Sequence, residues 1–139
     1  MSGVEVTIEL SGVRDKGNAD KERIVLTVTA DDDIGLYAVF CCRTSEHSRP
    51  SAGPVPHVYW FMNKDVKTND IIVLYTKSGR RSEKNNDGGY KSHFFYWGRP
   101  SPIWSEGYMP VLVETPDWAV GDSITDPPAA PPPSSVPPG

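Results

Sequence analysis

The chain has 139 residues, with 14 basic against 18 acidic side chains and a formal charge of −4. That length suits one domain, and the charge lacks the basic footprint of a general nucleic-acid binder. Its two cysteines, Cys41 and Cys42, are adjacent, which excludes a cross-linked disulfide framework.

Residues 4–10 alternate strictly, with Val4, Val6, Ile8 and Leu10 on one face, as a half-buried strand requires. No basic leader or apolar h-region follows Met1, and no apolar run is long enough to span a bilayer, so a cytoplasmic location without membrane contact is expected. The polar stretch 12–21 predicts a turn, and residues 23–30 are β-branched and strand-like. Asp31, Asp32 and Asp33 end that strand in a solvated turn; three consecutive acids cannot all face one cation, so no calcium loop is expected. Residues 36–42 predict a third strand, in which Cys41 and Cys42 pack on opposite sides. Residues 43–56 hold Pro50, Gly53, Pro54 and Pro56 and read as a long loop.

Four further strands are expected at 57–62, 70–76, 91–97 and 111–115. No segment of ten or more residues carries a helical period. Seven short strands separated by turn signals predict an all-β, immunoglobulin-like two-sheet sandwich over residues 1–120, with a partly open barrel as the alternative. Residues 121–139 hold seven of the 14 prolines and little apolar mass, so a disordered or polyproline tail is expected. Pro131, Pro132 and Pro133 have the chemistry to dock an aromatic groove, although a linker or inert terminus is the simpler expectation.

Three motifs carry a resemblance. They are the aromatic strand 57–61, the Lys-x-Val-x-x-x-Asp run from Lys64 to Asp70, and the Leu-Tyr-x-x-x-Gly run from Leu74 to Gly79. With residues 92–98, Ile103, Trp104 and 111–113, they resemble lamin-tail-type immunoglobulin-fold domains across residues 20–118. The resemblance implies a nonenzymatic binding module. The chain departs from that family by lacking a coiled-coil rod and by its longer segment 78–90.

Among possible sites, His47 beside Cys41 and Cys42 lacks both a fourth ligand and the C-x-x-C spacing of a zinc site, so no metal or cofactor is expected. His57 and His93 would face each other if their strands pair, and with Asp65 or Asp70 they would suit a small hydrolase or nuclease. The aromatic strands place His57, Tyr59 and Phe61 opposite Val58, Trp60 and Met62, and Ser92, Phe94 and Tyr96 opposite His93, Phe95 and Trp97. A sandwich needs only one apolar face per sheet. The second faces are therefore either covered by loops, Trp104 or Trp118, or they bind a partner.

Residues 78–90 are long for a hairpin connection, and Lys77, Arg80, Arg81, Lys84 and Lys91 make the segment basic. The candidate contact residues are Arg80, Arg81, Lys84, Tyr59, Tyr75, Tyr90 and Trp97, with Arg80 and Arg81 as anchors on a loop backed by Tyr75, Tyr90 or Trp97. The favoured function is recognition or assembly with a protein partner, a second copy included. Ligand or single-strand nucleic-acid binding through the aromatics and the basic loop is the alternative.

Overall fold

A computed structural model describes residues 6–46, 49–51, 53–115 and 118–121 of the chain. Val4, His47 and the proline-rich tail beyond residue 121 lie outside the described residues. The protein is all-β, with ten strands and a 3-10 turn at Ile34–Leu36 among the described residues. In chain order the strands are β1 (Ile8–Arg14), β2 (Arg23–Val28), β3 (Asp32–Asp33), β4 (Tyr37–Arg43), β5 (His57–Trp60), β6 (Asp65–Val66), β7 (Ile71–Tyr75), β8 (Ser82–Asn85), β9 (Lys91–Tyr96) and β10 (Tyr108–Glu114).

Two main sheets face one another. One has the order β1-β2-β7-β9-β8, the other β10-β4-β5, and β3 with β6 forms a small third ladder. The period-two patterns explain which side of each strand is buried. Ile24, Leu26 and Val28 of β2 point inward beside Ile8 of β1, Ile72 and Leu74 of β7 and Phe95 of β9. They meet Tyr37, Val39 and Cys41 of β4, with Phe61 and the fully buried Trp104 filling the space between the sheets. Burying each of these large side chains contributes on the order of 2 kcal/mol.

Among the described residues the first strand starts at Ile8, and it ends later than its alternation predicts. At Gly12 the pairing of β1 with β2 shifts by one residue, and φ there is +123°, a conformation open to glycine. This bulge lets β1 continue to Arg14, into the stretch expected to be a turn.

Segment 78–90 is not a hairpin loop. β7 and β9 run parallel, and β8 lies inside the segment and pairs antiparallel with β9. Residues 76–81 therefore cross over the end of β9 to start β8 at the sheet edge, and the hairpin at 86–90 returns the chain to the slot beside β7. The return turn uses Gly88 and Gly89 at φ of +96° and +86°. The crossover passes so close to Tyr96 that a Cβ on Gly79 would overlap its ring.

Three buried or half-buried acids hold the connections in place. Glu22, wholly buried, accepts hydrogen bonds from Gly17 N, Thr76 Oγ1 and Ile103 N at 2.8, 2.6 and 2.9 Å. Asp33 caps the 3-10 turn through Gly35 N and also receives Lys64 N at 2.9 Å. Asp32 accepts from the hydroxyls of Thr7 and Tyr37. Burial, with Asp32 as its acceptor, pushes the Tyr37 phenol up to about 12. Asp32 and Asp33 thus form a strand and a cap rather than a solvated turn, whereas Asp31 stays exposed.

Candidate functional site

The outer face of the three-stranded sheet is apolar from edge to edge. Pairing places Val113, Ala38 and Trp60 in one row and Val111, Phe40 and Val58 in the next, with Met109 and Cys42 behind them. β4 is the cause: residues 37–42 have no polar side chain that must face water, so both of its faces are apolar. Trp60 and Val58 remain 51% and 48% exposed. Trp60 is held by a 3.1 Å bond from its indole N–H to Gly35 O.

Beyond β10, Thr115 ties back to Leu36 O through its hydroxyl at 3.0 Å. Trp118 then packs edge-on against Trp60, with ring centroids 5.5 Å apart and planes at 87°. Between them lies a hollow of about 240 Å³, lined by Ala38, Phe40, Val58, Trp60, Thr115 and Trp118. Trp118 covers one corner of this face and is itself 60% exposed. Trp104, the other tryptophan considered as a cover, lies inside the core against Trp97.

A second surface lies on the outer side of the five-stranded sheet. Tyr75 stacks on Tyr96 with centroids 5.4 Å apart and planes at 10°, and Lys77 Nζ sits 5.1 Å above the Tyr75 ring. Arg23 continues the same row on β2. Arg80 and Arg81 are exposed on the crossover, and Lys84 is exposed on β8 in register with Ser92. Arg81 is close enough to oppose the upward shift that burial gives the Tyr59 phenol.

The expected contact residues therefore separate. Tyr75, Arg80 and Arg81 belong to one end of the sheet. Tyr90 lies at the opposite end of β9, half-buried against Gly88. Tyr59 and Trp97 pack toward the core, 5.7 Å apart, with Arg81 near the Tyr59 phenol. Tyr96, absent from the expected set, stacks on Tyr75 at the outer side of the sheet.

The two histidines do not pair, because β5 joins β4 whereas β9 lies between β7 and β8. His57 packs edge-on against Trp97, 6.5 Å between centroids, and burial lowers its pKa, with the Arg99 charge adding to the effect. His93 is 2% exposed and donates through Nε2 to Asp70 Oδ2 at 2.8 Å. Its Nδ1 lies 3.7 Å from Glu83 Oε1 and has no hydrogen-bond partner. Asp70 also accepts from Lys67 N and Lys91 N at 3.0 and 2.9 Å. Glu83 is bridged by Lys64 at 3.0 Å and Lys91 at 3.4 Å.

The cysteine thiols are free and buried, and burial pushes Cys41 up to about 11, which keeps it protonated at neutral pH. Among the described residues no group of three or more His, Cys, Asp or Glu side chains is placed to hold a metal ion. No described helix is long and apolar enough to cross a membrane.

The strand edges differ in how they are protected. An open groove of about 590 Å³ follows the meeting of β1 and β10, lined by Val6, Ile8, Leu10, Met109, Pro110 and Leu112. The Gly12 bulge and Pro110, which has no N–H, blunt these two edges against further pairing. Compared with protein-family models, curated proteins and solved structures, the chain matches none of them.

Proposed function

We propose that the chain is a nonenzymatic recognition or assembly module, an immunoglobulin-like sandwich that binds another protein through the outer face of its three-stranded sheet. The observation that carries this reading is the wholly apolar outer face, on which Val58 and Trp60 stand half exposed, Phe40, Val111 and Val113 are partly covered and Ala38 is buried among them. Water-facing sheet surfaces normally carry polar side chains at those positions. Tryptophan and other large apolar groups concentrate in the cores of protein interfaces. The resemblance to lamin-tail domains points the same way, with the parallel β7–β9 pair as this chain's departure from a wholly antiparallel sandwich. Two free thiols suit a reducing compartment such as the cytoplasm.

The test is Val58→Asp in the full-length chain, which places a charge on the face without touching the core. Light scattering and crosslinking measure association with a second copy, and affinity capture measures association with other proteins. The variant is expected to keep its melting temperature and to lose the association at least about tenfold, the effect of a hot-spot position. A variant that retains every association of the parent chain overturns the reading.

A second reading rests on a different observation, the stacked Tyr75–Tyr96 pair under Lys77, with Arg80 and Arg81 exposed on the crossover that follows. Aromatic platforms flanked by guanidinium groups bind single-stranded nucleic acid or acidic segments by stacking and charge.

A further inference from the structure

The chain does not simply leave the domain after β10. Thr115 is fastened to Leu36, and the Trp118 indole lies against Trp60 of the opposite edge strand. The C-terminal segment has therefore begun to cross the apolar face, and Gly121 stands three residues further on. Eighteen residues follow it, residues 122–139, seven of them proline.

We propose that the outer face of the three-stranded sheet is a polyproline-binding face, and that its resident occupant is the chain's own segment 122–139. This rests on the reading of that face as the protein-binding surface, and it names the chemistry of the ligand.

Three properties of the face suit such a ligand. The hollow between Trp60 and Trp118 offers two indoles at right angles, a wall and a floor for the flat pyrrolidine ring. The Trp60 indole is locked by its bond to Gly35, so it loses little freedom when a ring packs on it. The lining side chains are apolar apart from the Thr115 hydroxyl, and that hydroxyl is already bonded to Leu36 O. A ligand without N–H donors therefore strands no donor there, provided that its carbonyl oxygens stay turned to water, as the open polyproline helix allows.

The ligand side is equally matched. Proline fixes its own φ and lacks the N–H, so Pro131, Pro132 and Pro133 are preset for an extended helix of about 3.1 Å per residue. At that rise the ten residues from Gly121 to Pro131 reach up to about 30 Å, enough to bring the run back over Phe40, Val58 and Trp60. Tethering gives the segment an effective concentration in the millimolar range, so weak intrinsic affinity suffices. A protein partner bearing a similar segment would displace the tail, which makes the tail a built-in competitor.

The experiment uses the full-length chain and its variant Pro131→Ser, Pro132→Ser, Pro133→Ser. Indole N–H signals of Trp60 and Trp118 are followed by NMR, with the half-buried Trp97 and the buried Trp104 reporting on the fold. The expected result is movement of the Trp60 and Trp118 signals in the variant, steady Trp97 and Trp104 signals, and positions unchanged by tenfold dilution.

In a second arm, a synthetic peptide of residues 126–138 is titrated into both proteins. It should bind the variant about tenfold more tightly than the parent, whose own tail competes, and adding Val58→Asp to the variant should abolish binding. Unmoved Trp60 and Trp118 signals with equal peptide affinities overturn the proposal. Signal changes that vanish on dilution overturn the same-chain occupant. If the peptide fails to bind while Val58→Asp still abolishes association with a protein partner, the polyproline proposal falls and the broader protein-binding reading survives.

Discussion

Asp70 concentrates several constraints in one side chain. It accepts from His93, Lys67 N and Lys91 N, and its carbonyl receives Val28 N at 2.9 Å. One residue thereby fastens the start of β7 to both neighbours and sets the register of the parallel pair. Burial alone would raise its pKa, but the bond from His93 and the two backbone N–H groups outweigh it, and the carboxyl is held below its ordinary value. A carboxylate lowered by folding adds stability that is fully present above about pH 4, its unfolded value, and is lost as pH falls through the folded one. Asp70→Asn replaces acceptor pairs with a donor clash and is expected to cost about 2–4 kcal/mol at pH 7. Denaturant unfolding at pH 7 and pH 3 should show that gap narrowing in acid. A gap that is constant with pH would mean that the carboxylate charge contributes nothing.

At the scale of elements, the crossover between β7 and β8 is what the local sequence signals least. Its geometry depends on Gly79, whose backbone rides on the Tyr96 ring, and on Tyr96 stacking against Tyr75. Gly79→Ala must push either the ring or the crossover aside, at a cost of about 1–3 kcal/mol for an overpacked contact. Loosening should be local. Amides of Ser82 to Asn85, in the exposed edge strand β8, should exchange measurably faster while those of β2 and β4 keep their protection. Uniformly faster exchange across both sheets would show that the crossover is no separate unit.

Across the whole molecule, charge and apolar surface are distributed on different faces. The chain is acidic overall, yet Lys77, Arg80 and Arg81 collect at one end of the five-stranded sheet, and the apolar face belongs to the other sheet. A local basic patch on an acidic body accelerates encounter with acidic partners and does so less as salt rises. Replacing Arg80 and Arg81 together with Ala should weaken binding to single-stranded oligonucleotides or acidic peptides at least about fivefold at low salt, with a shallower salt slope. Equal binding by the double variant at low and moderate salt would leave the crossover as a purely structural connection. The two surfaces are independent in this account, so this substitution should not alter what Val58→Asp removes.

Most strand positions were legible because burial on one side of a sheet imposes a period of two on the residues themselves. Residues 23–28, 57–60 and 91–96 show it plainly, and the alternation correctly divided Val58, Trp60 and Met62 from Tyr59 and Phe61. The sequence by itself thus determined an all-β chain and which residues of a strand share a face, without saying which of the two faces is inward. It did not reveal that β9 lies parallel to β7, that His57 and His93 belong to different sheets, or that Tyr59 and Trp97 point into the core. Those outcomes follow from which strands lie next to one another, and strand order is decided by packing between residues far apart in the chain, such as Phe61 with Phe95 and Trp97 with Trp104. The apolar outer face is of the same kind: its rows combine residues 38–40, 58–60 and 111–113, which become a surface only when tertiary pairing sets them side by side.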